Sequence, residues 1–228
     1  MILAAGRGER LRPLTDRIPK PLIEVGGKPL VVHHLEALAA AGFQRVVINT
    51  AWLGEQIEQA LGDGQRWNLS IVYSREPEGA LETAGGIVQA LPLLGDDPFL
   101  VISADIVCDY PLEQLKGLRP EGLGHLVMVD SPDHHQQGDF RLDAGGKLRH
   151  GSPALTFSGI GVLRPELFDG CSFGRLALRP LLERALAEDR LSGERHAGLW
   201  SDVGSPERLQ AIRRQHCDDR SQGLHFPP

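Results

Sequence analysis

Apolar and polar positions follow two rhythms along the first half of this chain. Short apolar runs of strand length occupy residues 1–5, 45–49, 69–73 and 99–103. Between them, at 29–41, 53–61 and 83–91, apolar residues recur at helical spacing. The runs predict buried strands and the periodic segments predict helices. Pro29 suits a first helical turn, and Gly42 and Gly62 suit helix stops. Strand–helix alternation predicts an α/β fold, a Rossmann-like mostly parallel sheet flanked by helices on both faces. Past residue 120 the rhythm changes. Strands are predicted at 125–130, 139–142 and 158–163, then helices at 175–187 and 207–215. This later part predicts a small β subregion. The whole reads as one domain over 1–215, with a polar, Pro-ended tail over 216–228 that frays or packs on a partner.

The first apolar run breaks into a glycine-rich basic loop carrying Gly6, Arg7, Gly8, Arg10, Arg12 and Lys20. Such a break turns backbone N–H groups toward an anion, and the side chains add positive charge. Gly6 and Gly8 are expected to turn with positive φ and to let a ligand approach. Arg10 can fork onto phosphate oxygens, and Lys20 is a point charge between two prolines. The dinucleotide pattern GxGxxG fails because Leu11 stands at its third glycine, and no Gly-Lys-Ser/Thr follows for a P-loop. A polyphosphate is the ligand this loop predicts.

Two aspartates end apolar runs. Asp105 follows 99–102 and Ser103-Ala104, at a strand end where open α/β sheets bind ligands. Asp202 lies in Trp200-Ser201-Asp202-Val203-Gly204. Both are hard oxygen donors suited to magnesium. Asp105 could instead cap a turn, and Asp202 the last helix. His134-His135 reads as a surface loop.

The chain has 228 residues and a net charge of −6. That balance argues against nonspecific nucleic-acid binding. No apolar stretch approaches the roughly 20 residues of a membrane span, and no signal peptide is expected. Cys108, Cys171 and Cys217 form no metal spacing, so free thiols in a reducing cytoplasm are expected.

Residues 3–22 resemble the N-terminal motif of the sugar-1-phosphate nucleotidylyltransferases, LAAGxGxRLxPLTxxxPKPL. The resemblance implies the nucleotide-diphospho-sugar transferase (GT-A-like) fold, magnesium, and a nucleoside triphosphate with a sugar 1-phosphate as substrates. It implies no nucleic-acid or membrane partner, and a monomer or homodimer. Carried over by position, Lys20 and Arg10 are catalytic, and Ala4, Ala5, Gly6, Gly8 and Glu9 line the nucleotide. Asp105 and Asp202 hold the metal, with Ser103-Ala104 in place of the commoner Asn-Gly. The resemblance puts base reading on the segment 76–86, where residues 81–86 resemble the LGTAG-like motif with Glu82 where glycine is usual, and implies contacts from Glu82, Thr83 and Gly85. Thr83 also fits a helix N-cap. The sugar phosphate falls to the second half, 121–205, with Asp139, Thr156, Ser158 and Gly159 as candidates; residues 1–120 serve the nucleotide. The family's common Glu-Lys-Pro is missing here. The short length, His134-His135, residues 138–142 and 155–160 and Trp52-Leu53-Gly54 together are most similar to the branch that uridylylates N-acetylmuramic acid α-1-phosphate in bacterial cell-wall recycling. This implies UTP, with hexose or heptose guanylyl- or uridylyltransfer as the alternative and an inactive sugar-nucleotide-binding module as a third reading. Arg141 is the nearest cation for that sugar's lactyl carboxylate.

Overall fold

The structure is a computed structural model that describes residues 1–77 and 81–215 fully and 216–221 by backbone alone. In chain order the elements are β1 (Ile2–Leu3), β2 (Glu24–Val25), β3 (Lys28–Pro29), α1 (Leu30–Ala40), β4 (Arg45–Thr50), α2 (Gly54–Leu61), β5 (Ser70–Arg75), α3 (Glu82–Leu94) and β6 (Phe99–Ser103). There follow β7 (Ile106–Cys108), β8 (Gly124–Val129), β9 (Arg141–Leu142), β10 (Leu148–Arg149), β11 (Thr156–Leu163), α4 (Leu178–Ala187), β12 (Leu191–Arg195), β13 (Trp200–Asp202) and α5 (Pro206–Ser221). Seven strands make the central sheet, in the order β12-β8-β11-β6-β1-β4-β5. Only β11 runs antiparallel to its neighbours; the other pairs are parallel.

The connections build outward from β1 through α1 to β4, then return through α3 to β6 on its other side. The order therefore reverses between β1 and β6, and the crevice beyond their C-terminal ends is where an open α/β sheet takes ligands. Leu35 of α1 and Ile57 of α2 pack with Ile2, Ile48 and Ile102 on one face. Ile87 of α3 and Leu182 of α4 pack with Val101 and Met128 on the other. Each such side chain, fully buried, contributes about 1.5–3 kcal/mol. A third cluster joins Leu11, Ile23 and Val25 to Val203, Leu209 and Ile212, so α5 is clamped onto the chain that follows β1.

The predicted alternation of residues 1–103 is present, with the short β2–β3 pair added, and three helices along the chain differ in their bounds. Helix α3 runs through Pro92 to Leu94 before Gly95 ends it at φ 85°. Helix α4 begins at Leu178 rather than 175, because Leu176 exchanges backbone hydrogen bonds with α3's start: Gly85 N to Leu176 O, 3.0 Å, and Leu176 N to Leu81 O, 2.9 Å. Helix α5 extends to Ser221, so the first part of the predicted tail is helical; 222–228 lie outside the described residues. Strand β12 escapes the pattern because Leu191-Ser192-Gly193-Glu194-Arg195 is a polar edge strand, ordered by its pairing with β8. Among the described residues no helix is long and apolar enough to cross a membrane.

Candidate active site

Strand β1 hands the chain into the crevice at Ala4, whose amide bonds the Asn49 Oδ1 of β4 at 2.8 Å instead of a strand partner. Asn49 Nδ2 in turn donates to Glu76 Oε1 at 2.6 Å, and Glu76 Oε2 accepts the Leu81 amide at 3.1 Å. One buried amide side chain thus ties β1 to the segment that starts α3. Asn49 and Glu76 line the crevice; Glu76 opens the segment 76–86 expected to read the base, whereas Asn49 falls outside every predicted site segment. Gly8 takes the left-handed conformation, φ 67°, and the Thr15 hydroxyl donates to its carbonyl at 2.8 Å. A Cβ there would crowd Thr15 Cγ2 at 3.0 Å. Gly6 departs from expectation, since it is not among the positive-φ residues and nothing stands within 4 Å of its missing Cβ. Its smallness leaves open space in the crevice rather than serving a turn. Arg7 points away from that space. Its guanidinium bonds Thr15 O at 2.9 Å and Asp16 at 2.6 Å and lies 3.8 Å above the Trp52 ring, so it stiffens the loop.

This first compartment, about 390 Å³, is lined by Ala4, Ala5, Gly6, Gly8, Glu9, Arg10 and Lys20 among others. Lys20, 9 % exposed, reaches across to hydrogen-bond the Asp105 carboxylate. Asp105 and Asp202 sit on neighbouring chain segments. Strand β13 pairs with β7, opposing Asp202 to Ile106, and the Val203 amide donates to Asp105 O at 2.7 Å. Asp202 Oδ2 accepts from Arg208 at 2.9 Å. Asp202 Oδ1 is buried without a hydrogen bond, and the His134 Nε2 stands 3.2 Å away. The His134-His135 loop therefore reaches the site instead of lying apart from it. Ser205, not Asp202, serves the start of α5, its hydroxyl accepting the Arg208 amide at 3.4 Å.

A second compartment of about 590 Å³ opens on the other side of Asp105. The two share Leu3, Glu82, Thr83, Ser103 and Asp105. Its walls include Asp139, Ser158, Gly159, Arg179, Trp200 and Asp202. A bulge separates Phe157 from Gly161 in β11, with Gly159 at φ 87° where a Cβ would meet Ser103 Oγ at 2.7 Å. Trp200 Nε1 donates to Ser158 O at 2.9 Å and holds that bulge against β13.

Comparison with known proteins decides the family. A family model described as "Nucleotidyl transferase" matches residues 1–138. The chain is 52 % identical to the N-acetylmuramate alpha-1-phosphate uridylyltransferase of Neisseria meningitidis serogroup B, over 92 % of this chain and 94 % of that one. The enzyme of the same name from Caulobacter vibrioides is 35 % identical, covering 91 % and 92 %. The chain belongs to the nucleotidyl transferase family. A Xenopus tropicalis mannose-1-phosphate guanylyltransferase catalytic subunit beta is more distant, 28 % identical over all of this chain and 68 % of its own. A Bacillus anthracis structure described as a glucose-1-phosphate thymidylyltransferase shares the fold, with TM-score 0.84 at 20 % identity over 95 % and 94 % of the two chains.

In this nucleotidyltransferase several predicted residues stand elsewhere than expected. Thr83 does not cap α3. The helix starts one residue earlier, after Leu81, with no side-chain cap. Glu82 itself takes the left-handed conformation, φ 58°, at the position where the family pattern has glycine, and pairs with Arg175 at 2.6 Å. Gly85 is buried away from both compartments. Its amide is spent on Leu176, and a Cβ would run into the Gly174 carbonyl oxygen and sit 3.0 Å from Leu81 Cβ. Glu78, Gly79 and Ala80 of the same segment lie outside the described residues. Thr156 is buried, its hydroxyl on Ser131 Oγ at 3.1 Å, and lines neither compartment. The Ser158 hydroxyl accepts the Ile160 amide within its own bulge, at 3.1 Å. Asp139 lines the crevice with both oxygens engaged, by the Phe157 amide at 2.8 Å and by Arg179 at 2.5 Å. Arg141 is on β9, beside the Gly151 turn, and does not line the crevice.

Proposed function

We propose that the protein transfers the uridylyl group of UTP to N-acetylmuramic acid α-1-phosphate, releasing pyrophosphate. One geometric observation carries the chemistry: two compartments of different character meet at Asp105. The first has Arg10 and Lys20 in its walls and suits a triphosphate. The second has a largely apolar lining, including Phe140, Phe157 and Trp200, with a few polar side chains among it, and suits a sugar ring. The choice of sugar and base rests on the relative that is 52 % identical and carries that name.

In this reading residues 1–120 hold the nucleotide and 121–205 most of the sugar. The acceptor phosphate is already anionic, so no side-chain nucleophile is needed. Its oxygen bonds to the α-phosphorus as the bond to the bridging oxygen of the leaving pyrophosphate breaks. Arg10 and the amides of residues 6–8 hold the outer phosphates. Lys20, freed from Asp105, meets the charge that develops on the transferring group. Such a preorganised charge contributes typically about 2.7–4 kcal/mol. Members of this family generally work with a divalent metal. The residues fit a hard cation: two carboxylates on adjoining segments, one with a buried oxygen that lacks a hydrogen bond. Asp105 and Asp202 would hold magnesium, which when bound supplies charge neutralisation at the phosphates. Free Cys108 and Cys171 accord with a cytoplasmic enzyme.

The test is pyrophosphate release from each of four nucleoside triphosphates with N-acetylmuramic acid 1-phosphate, N-acetylglucosamine 1-phosphate, glucose 1-phosphate and mannose 1-phosphate. UTP with the muramic acid derivative should give the highest kcat/KM. A preference for GTP and mannose 1-phosphate would move the protein to the guanylyltransferases, and no turnover with any pair would make it a binding module.

A further inference from the structure

The second compartment has Glu82, Asp105, Asp139 and Asp202 in its walls, and Arg179 is the one lysine or arginine there among the described residues. The sugar 1-phosphate must place its phosphate at Asp105, where both compartments meet. Arg179 belongs to the second compartment alone, with Asp139, Phe140 and Leu182. It is therefore placed to meet a part of the sugar other than the reacting phosphate.

Its side chain is aimed. Nη1 donates to Asp139 Oδ1 at 2.5 Å and Nε to Glu183 Oε1 at 2.8 Å, while the guanidinium carbon lies 5.1 Å from the centre of the Phe140 ring. Asp139 is itself fixed by the Phe157 amide, 2.8 Å from Oδ2. Among the described residues the second terminal nitrogen, Nη2, has no partner. Arg179 is also the second residue of α4, a helix whose start has no side-chain cap. Ala177, Leu178 and Arg179 all line the compartment, so the uncapped, positive end of α4 lies in its wall beside the guanidinium. A guanidinium edge at the positive end of a helix is the chemistry that recognises a carboxylate.

We propose that Arg179, with the uncapped start of α4, is the subsite for a carboxylate carried on the sugar ring, and so the residue that selects a muramic acid phosphate over its non-acidic counterpart. This rests on the substrate class proposed above. N-acetylmuramic acid differs from N-acetylglucosamine by one lactyl ether, which supplies that carboxylate. Asp139 then acts as a positioning residue that holds Arg179 in place, rather than as a contact for the sugar's phosphate.

The experiment measures kcat/KM for the two sugar 1-phosphates with saturating UTP and magnesium, in the wild type and in Arg179→Ala, Arg179→Gln and Arg179→Lys. Melting temperatures identify variants that fold. The ratio favouring the muramic acid derivative should fall about 10- to 100-fold in Arg179→Ala, the range of a charge-assisted hydrogen bond, mainly through KM for the sugar phosphate. Arg179→Gln should fall similarly, and Arg179→Lys should keep part of the preference. Wild-type enzyme should lose the same preference when the lactyl carboxylate is supplied as its amide, a result that needs no variant to fold. An unchanged ratio in folded Arg179→Ala, or an equal loss on both substrates, would overturn the proposal while leaving the proposed activity standing. Failure of the wild type to use the muramic acid derivative with UTP would remove the activity and this subsite together.

Discussion

The two halves of the crevice are built differently. The nucleotide side comes mainly from one stretch, residues 3–21, joined in the wall by Asn49, Glu76 and the start of α3 and stiffened by the Arg7–Trp52 contact. The sugar side is gathered from Asp139, the β11 bulge, the start of α4 and β13, held by hydrogen bonds between segments far apart in the chain. A polyphosphate looks alike in every nucleotide, so one loop of fixed chemistry suffices. A sugar is distinguished by substituents that point in several directions, and several segments must converge to read them.

The largest expected effect attacks the chemistry on the nucleotide side. Lys20→Ala should lower kcat/KM by about 100- to 1,000-fold with melting preserved, as pyrophosphate release and circular dichroism would report. Near-normal turnover would remove Lys20 from the reaction.

Next, the glycines separate the two sides. Gly85→Ala forces a methyl against the Gly174 carbonyl oxygen, where α3 meets the chain leading into α4. Overpacking of this kind costs about 1–3 kcal/mol, measurable by urea unfolding. Gly6→Ala meets nothing within 4 Å, so stability should move by less than about 0.5 kcal/mol while the KM for nucleotide rises. Equal stability losses in the two would erase the distinction between a packing glycine and a ligand-side one.

A third test concerns support behind the junction. His34 of α1 is buried, and burial together with His33 pushes its imidazole down from 6.5 to about 4. The unfolded chain holds that proton more tightly. Stability is therefore fully present above pH 6.5 and is lost as pH falls from there toward 4. Unfolding free energy should drop by about 2 kcal/mol from this group between pH 7.5 and pH 5, and His34→Gln should flatten that part of the profile.

The smallest effect concerns Glu82 at the seam, held at φ 58°. A left-handed non-glycine residue costs about 1–2 kcal/mol, and its exposed pair with Arg175 returns roughly 0–1. Glu82→Gly should raise stability by about 0.5–1 kcal/mol, visible as a small rise in Tm. A fall would mean that the Arg175 pair matters more than the strain.

The same contrast explains what was legible. The order of strands and helices through residue 103 and the loop at 6–20 follow from local pattern, because each piece buries one face or offers one anion cradle. Asp105 could be picked out because it follows the apolar strand β6, and Asp202 because it stands in the Trp200–Gly204 pattern before a helix. Hidden features depend on distant partners. Gly85 looks like a base-reading glycine until Leu176 takes its amide, and Thr156 looks like a sugar contact until Ser131 takes its hydroxyl. Arg141 and Arg179 are equally charged in the sequence. Only the placement of α4 against Asp139 brings one of them to the crevice.

The most direct test of the central claim, that the two substrates meet at Asp105 from opposite sides, is a crystal structure with the UDP-sugar product and magnesium. Uridine should lie in the compartment of residues 4–10, the diphosphate beside Asp105 and Asp202, and the sugar ring between Phe157 and Arg179. A product lying wholly in one compartment, or with its sugar beside the glycine loop, would contradict it.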